Sequence, residues 1–221
     1  MIKQRARNPE DKQERRAGIL AVARDVWDGT TYSGFTMADV AERAGLAKGT
    51  LYLYFKTKEE LLLALLVDLF AEWFDHVDAR LDGAGGRFSP ARLARLLCES
   101  LEARPAFTRL LVILHTILEQ NIAFEIALAF KTMLLDRLGR TAARVERRLP
   151  LLREGDGARL LLHLHALVIG LRQMADPAPV ALQVIEARGM DVFRIDFGSE
   201  LTVALVSLLE GMERAGSRSG R

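Results

Sequence analysis

From Asp11 onward, apolar residues recur every three or four positions, and the Val/Ile/Thr alternation of β-strands is almost absent. That spacing restricts the chain to helices. Ile19, Val22, Ala23, Val26 and Trp27 line one face of a helix predicted over Asp11–Asp28. The turn formers of "DGTTYSG" end it, and a short helix follows at Thr36–Ala44. Thr36 with Asp39 three residues on is a helix-start signal, and Gly45 is a helix-stop signal. A third helix is predicted at Ala47–Tyr54 and a long fourth at Lys58–Leu81, opened by Thr57 with Glu60. After the flexible "DGAGGRFSP", helices are expected at Arg92–Leu101, Pro105–Glu119, Ala123–Leu149, Ala158–Met174 and Ser199–Arg214. The fold class is all-α, with about nine helices and one further short helix at Val180–Ala187.

Composition supports this and removes several function classes. Leu, Ala, Arg and Glu dominate, and there are only six prolines in 221 residues. Half the residues are hydrophobic, enough for a sizeable core. Cys98 is the single cysteine, so no internal disulfide and no Cys-based zinc cluster can form. The N-terminal "MIKQRARNPEDKQERR" lacks the apolar core of a signal peptide. The longest apolar run, Leu61–Val67, is too short to span a bilayer, so a cytoplasmic, non-membrane protein is expected. No paired carboxylates, nucleophile–base set or phosphate loop points to an enzyme, and no cofactor is implied. His163 and His165 stand two apart on a helix and face different sides, a poor spacing for a metal.

Charge is unevenly distributed. Residues 1–58 carry 11 Lys/Arg against 7 Asp/Glu, while residues 59–221 carry 20 against 22. A basic head on a mildly acidic body suits a polyanionic partner, though short segments often fluctuate this much.

Thr36 to Tyr54 pairs two short helices across the Gly45 turn. Small Ala41 sits where the helices would cross, and Val40, Ala44, Leu46 and Leu51 line the contact. This is the pattern of a helix-turn-helix, whose second helix can enter the major groove. The stretch "GFTMADVAERAGLAKGTLYLYFKTKEELL", Gly34–Leu62, resembles the DNA-binding segment of the TetR family of bacterial transcriptional regulators. The resemblance implies an N-terminal three-helix DNA-binding head (residues 1–58) and a helical regulatory and dimerisation body (residues 59–221). It implies that Lys48, Gly49, Thr50 and Leu53 face base edges in double-stranded DNA. Tyr52, Lys56 and Lys58 would meet phosphates, with Thr36 capping its helix beside the backbone. Tyr54 and Phe55 are assigned to packing. Leu53 and Ala47 depart from the family pattern, which often has a polar or aromatic residue at the first and Ser or Thr at the second. Lys3, Arg5 and Arg7 form a basic arm able to reach a minor groove or remain solvated.

One head covers one half-site, so a homodimer is expected. Leu160, Leu164, Leu167 and Leu171 form one stripe, and Leu201, Leu205, Leu208 and Met212 another, both assigned to a dimer interface. Trp73, Phe107, Leu111, His115, Leu118, Phe130, Met133 and Leu134 are candidate walls of a pocket for a small apolar or amphipathic effector, with a filled core as the alternative. The expected function is ligand-responsive repression at a palindromic operator. A helical DNA-binding protein that is constitutive or partner-controlled is the alternative.

Overall fold

The computed structural model describes residues 9–218. The arm residues Lys3, Arg5 and Arg7 lie outside them. Ten α-helices are present among the described residues: α1 (Pro9–Asp28), α2 (Met37–Arg43), α3 (Lys48–Tyr52), α4 (Lys58–Gly83), α5 (Pro90–Glu102), α6 (Pro105–Ile113), α7 (Phe124–Arg148), α8 (Asp156–Ala175), α9 (Pro179–Arg188) and α10 (Phe197–Arg218). No helix among the described residues is long and apolar enough to cross a membrane. The chain divides into two compact units. One holds the residues up to Asp68 with Leu114–Ala127; the other holds Leu69–Ile113 with the residues from Leu128 onward.

In the first unit, α1, α2 and α3 pack around Ile19, Ala23, Val40, Ala41 and Leu51, each at most 3% exposed. Trp27 meets Phe35 edge-on at 6.2 Å, sealing the loop after α1. Most helix ends shift by a few residues from those predicted, and two differences change the local structure. The third helix stops at Tyr52 rather than Tyr54, because the chain turns there to bury Phe55. The stretch after α6 is not regular α-helix. It widens to a π-helical turn at Leu114–Leu118 and then tightens to a 3-10 turn at Glu119–Asn121.

In the second unit, α5 and α6 pack with α8 and α10. The α4 residues Phe70, Trp73 and Phe74 join Phe107 and Phe130 in an aromatic core, with Phe70 and Phe107 ring centres 4.9 Å apart. The buried Trp73 indole donates to Ser100 Oγ at 2.9 Å, which in turn donates to the Leu97 carbonyl at 2.7 Å. No buried donor is stranded in that chain of bonds.

A charge ladder ties α4 to α7. Arg137 pairs with Asp75 at 2.5 Å and Arg144 with Asp82 at 2.8 Å. Both guanidinia also lie within 3.8 Å of Asp78. Asp78 accepts the hydroxyl proton of fully buried Thr141 at 2.7 Å. The hydrogen bond from Arg144 holds the Asp82 carboxyl below the usual carboxylate range. A depressed folded value means that this pair contributes above that range and is lost as pH falls through it.

The rungs are unequal. Asp78→Ala strands the buried Thr141 hydroxyl and removes the carboxylate that Arg137 and Arg144 share, and should cost about 1–3 kcal/mol in urea unfolding. Asp75 is 70% exposed, so Asp75→Ala should cost about 0–1 kcal/mol. Equal losses would overturn this ranking.

Candidate nucleic-acid interface

The turn between α2 and α3 is built by backbone bonding. Gly45 takes a φ of 62°, which a side chain rarely tolerates. That conformation lets the Gly45 N–H donate to the Glu42 carbonyl at 2.9 Å and the Leu46 N–H to the Ala41 carbonyl at 2.8 Å. This is the paired bonding of a Schellman motif. At the other end of α2, Thr36 accepts the Asp39 N–H at 3.2 Å and gives its own proton to the Asp39 carboxylate at 2.7 Å. Its capping role is therefore direct. The hydroxyl proton is engaged, so a phosphate must compete with Asp39 for it.

The helix α3 has two sharply different faces. Leu51 is fully buried, whereas Leu53 is 74% exposed and Tyr52 is 42% exposed. Lys48 and Gly49 are exposed and Thr50 is half-buried. A Cβ placed on Gly49 would meet nothing within 4 Å, so nothing inside the chain demands glycine there. Ala47 caps α3 with no side-chain bond, as its methyl dictates. Neither Lys48 nor Lys56 makes an ion pair among the described residues.

Lys58 is held differently. Its ammonium donates to the Tyr32 carbonyl at 3.2 Å and sits 3.8 Å from the centre of the Tyr32 ring. The Tyr32 hydroxyl donates to Glu59 at 2.5 Å. Burial, then the Glu59 hydrogen bond and charge, push the Tyr32 hydroxyl up to about 12. Burial pushes Glu59 up as well, but bonds from Tyr32, its own backbone and Thr57, with the nearby Lys58 charge, bring it below its ordinary value. The Tyr32–Lys58–Glu59 cluster did not emerge from the sequence, where Tyr32 reads only as part of a turn. The sole hint was an aromatic among turn formers. Glu60 is also occupied, since it accepts the Lys56 N–H at 2.8 Å while Thr57 caps the Glu60 N–H at 3.1 Å.

Elsewhere burial within the chain sorts the candidate residues. Leu160, Leu164, Leu201 and Leu205 are at most 2% exposed within a single chain, so they have no surface to offer a partner. Only Leu167, Leu171, Leu208 and Met212 of those stripes stay part-exposed. The apolar surface actually exposed on these helices includes Leu162 (57%) and Val203 (60%), which were not singled out. Of the candidate pocket residues, Trp73, Phe107, Leu111 and Phe130 are buried in the second unit's core, and the three aromatic rings are in mutual or shared ring contact. Met133 and Leu134 are half-buried. Leu118 is buried but belongs to the first unit. His115 is 48% exposed in the π-helical turn, with Nδ1 3.0 Å from Glu119, and it leaves the face shared by Phe107 and Leu111.

Comparison with known proteins bears on the whole chain. Residues 19–65 match the family model described as bacterial regulatory proteins, tetR family. Residues 67–216 match a tetracyclin repressor-like C-terminal domain. The HTH-type transcriptional regulator TtgR of Pseudomonas putida is 39% identical over 71 residues, covering 32% of this chain and 33% of that protein. The HTH-type transcriptional repressor KstR of Rhodococcus jostii is 31% identical over 130 residues, covering 58% of each. Less than two thirds of these relatives is therefore spanned. Among solved structures, the fatty acid degradation regulator FadR of Bacillus halodurans gives a TM-score of 0.55 at 18% identity, over 93% of this chain and 96% of that one. A TetR transcriptional regulator from Rhodococcus sp. RHA1 gives 0.52 at 21% identity, over 90% and 97%. At that identity the likeness is one of fold.

Exposure separates Leu53 and Gly49 from the core. Leu53→Ala should leave the thermal midpoint unchanged, and Gly49→Ala should raise stability by about 0.5–1 kcal/mol through helix propensity. A large loss in calorimetry for either would mean that α3 is oriented differently.

Proposed function

The chain belongs to the tetR family of bacterial regulatory proteins, and we propose that it represses transcription by binding a palindromic operator as a homodimer, released by a small effector. The observation that most supports the DNA-binding part is the two-faced α3, packed through Leu51 while presenting Lys48, Gly49, Thr50 and Leu53 outward. On this reading Lys48 donates to guanine O6 or N7, and Leu53 touches a thymine methyl. Gly49 allows close approach to the groove. Tyr52, Lys56 and Lys58 contact phosphates, and Thr36 steadies the first N–H groups of α2 near the backbone. The repressor relative KstR supports the direction of regulation.

Two heads must sit about 34–36 Å apart to read successive major grooves. The outer faces of α8 and α10 suit a partner. Leu162 and Val203 are exposed, and the helix-interior Gly170 and Gly211 have open space where a Cβ would stand. Close helix crossing needs such small residues beside apolar ones. The effector reading rests on the aromatic core. Because Phe70, Trp73 and Phe74 are α4 residues, a small apolar ligand that displaced their ring contacts would act directly on α4. A coupling of about 1–3 kcal/mol is typical of such effects. The tight packing of the same rings favours the second reading, a constitutive or partner-controlled DNA-binding protein.

Fluorescence anisotropy at fixed salt should show preference for the chain's own upstream DNA over random duplex, and equal binding would sink specific regulation. Lys48→Ala should cost about 1–3 kcal/mol on the operator alone, whereas Lys56→Ala should weaken all duplexes alike. The paired change Leu162→Glu and Val203→Glu should yield monomers in analytical ultracentrifugation and abolish tight operator binding. A dimer that survives it would place the interface elsewhere.

A further inference from the structure

Beyond the DNA interface and the aromatic core, a charged cleft lies where the end of α4 meets the start of α5. It encloses about 130 Å3 and is lined by Arg80, Arg92, Arg95, Phe88, Leu96 and Glu99, with Ala84 at its margin. Three arginines line one small space beside two apolar residues, Phe88 and Leu96, that are at most 8% exposed. We propose that this cleft binds a small, multiply charged oxyanion, a phosphorylated or polycarboxylate metabolite.

Many arginines of this unit are engaged by carboxylates, and among the described residues the three at this cleft are not. Arg137, Arg144, Arg172 and Arg194 each reach a carboxylate, at 2.5, 2.8, 3.2 and 3.3 Å. Arg80, Arg92 and Arg95 reach none among the described residues. Arg95 stands one helical turn before Glu99, the spacing at which such pairs form readily, yet the pair is not made. Like charges left together repel, so an anion entering here gains from all three. Arg92 is already oriented. Its guanidinium carbon lies 4.1 Å from the Phe88 ring centre, and Nη1 reaches the Gly85 carbonyl at 3.5 Å. A fixed guanidinium plane offers a bidentate fork to phosphate or carboxylate at reduced entropic cost. His76, one turn before Arg80, is held below its usual value, first by burial and then by the charges of Arg104 and Arg80. The positive potential therefore extends along this face of α4.

Size and surroundings narrow the occupant. The volume is below the roughly 300–1,000 Å3 of drug-sized pockets, which excludes a long acyl chain. A compact anion meets three arginines against one carboxylate, Glu99, in the lining. Bound there, it would bridge Arg80 on α4 to Arg92 and Arg95 on α5.

Isothermal titration of the full chain with inorganic phosphate, pyrophosphate and citrate at constant ionic strength tests this. Saturable binding is expected for at least one, and the stronger of pyrophosphate and citrate identifies phosphate or carboxylate chemistry. Arg80→Gln with Arg95→Gln should weaken it about tenfold or more, while Arg140→Gln should not. Circular dichroism checks that the double variant folds. If it does not, Arg92→Lys, which keeps the charge and loses the fork, should weaken pyrophosphate binding instead. The proposal fails if no probe saturates, or if the folded variants bind as the wild type does. It also fails if random duplex displaces pyrophosphate from the wild type, which would make the cleft a nucleic-acid contact.

Discussion

Six consecutive residues of α4, Leu61 to Leu66, are buried. A helix covers all its faces in four residues, so at this level α4 is enclosed on every side. A surface helix alternates buried and exposed faces and can slide or tilt at modest cost. An enclosed one cannot move without disturbing every neighbour, because close-packed interiors do not deform continuously. The single helix Lys58–Gly83 is therefore the constraint on which the other elements depend. Its first turn holds Lys58 against Tyr32, its middle contributes Phe70, Trp73 and Phe74, and its last turns carry the aspartates of the ladder to α7.

The parts of the fold legible in the sequence were those decided by local rules. The start at Thr36, the stop at Gly45 and the start at Thr57 all depend on hydrogen bonds within a few residues, and the structure shows each of those bonds. The identity of Leu51 as packing and Leu53 as surface was also readable, because a short helix with one apolar stripe has only one way to face its partner. What the sequence hid was longer in range. Tyr32 and Lys58 are 26 residues apart, and nothing in either neighbourhood announces a cation over a ring. Likewise, Asp78 and Thr141 meet across 63 residues.

The stripes on α8 and α10 show a different limit of the sequence. In α8 and α10 the broad apolar coverage is expected to serve both the chain's own body and a partner, and Leu160, Leu164, Leu201 and Leu205 are the part of the stripes buried within the chain. Hydrophobic spacing ranks faces by apolarity and is silent about which neighbour they meet. Leu160 and Leu162 are the same residue type two positions apart, one fully buried and one 57% exposed. Only the packing of other helices against α8 separates them. The π-helical turn at Leu114–Leu118 is a related case, since one widened turn removes His115 from a face that regular α-spacing would give it.

The basic residues of the first unit fall into two physical kinds. Lys48 and Lys56 are exposed and unpaired, so ordering either against a partner costs up to about 2 kcal/mol of rotamer freedom. Lys58 has already lost much of that freedom to the Tyr32 ring and carbonyl. A lysine positioned in advance sets where an anion must sit, whereas a free one adjusts to where the anion already is. On the proposed reading, Lys58 would fix one phosphate position, while the mobile Lys48 and Lys56 would adapt to a base and to a phosphate. The arrangement depends on Glu59, because its bond to the Tyr32 hydroxyl fixes the ring over which the ammonium rests. The Glu59 carboxylate, which looks hostile to phosphate, thus holds in place the cation that would receive it.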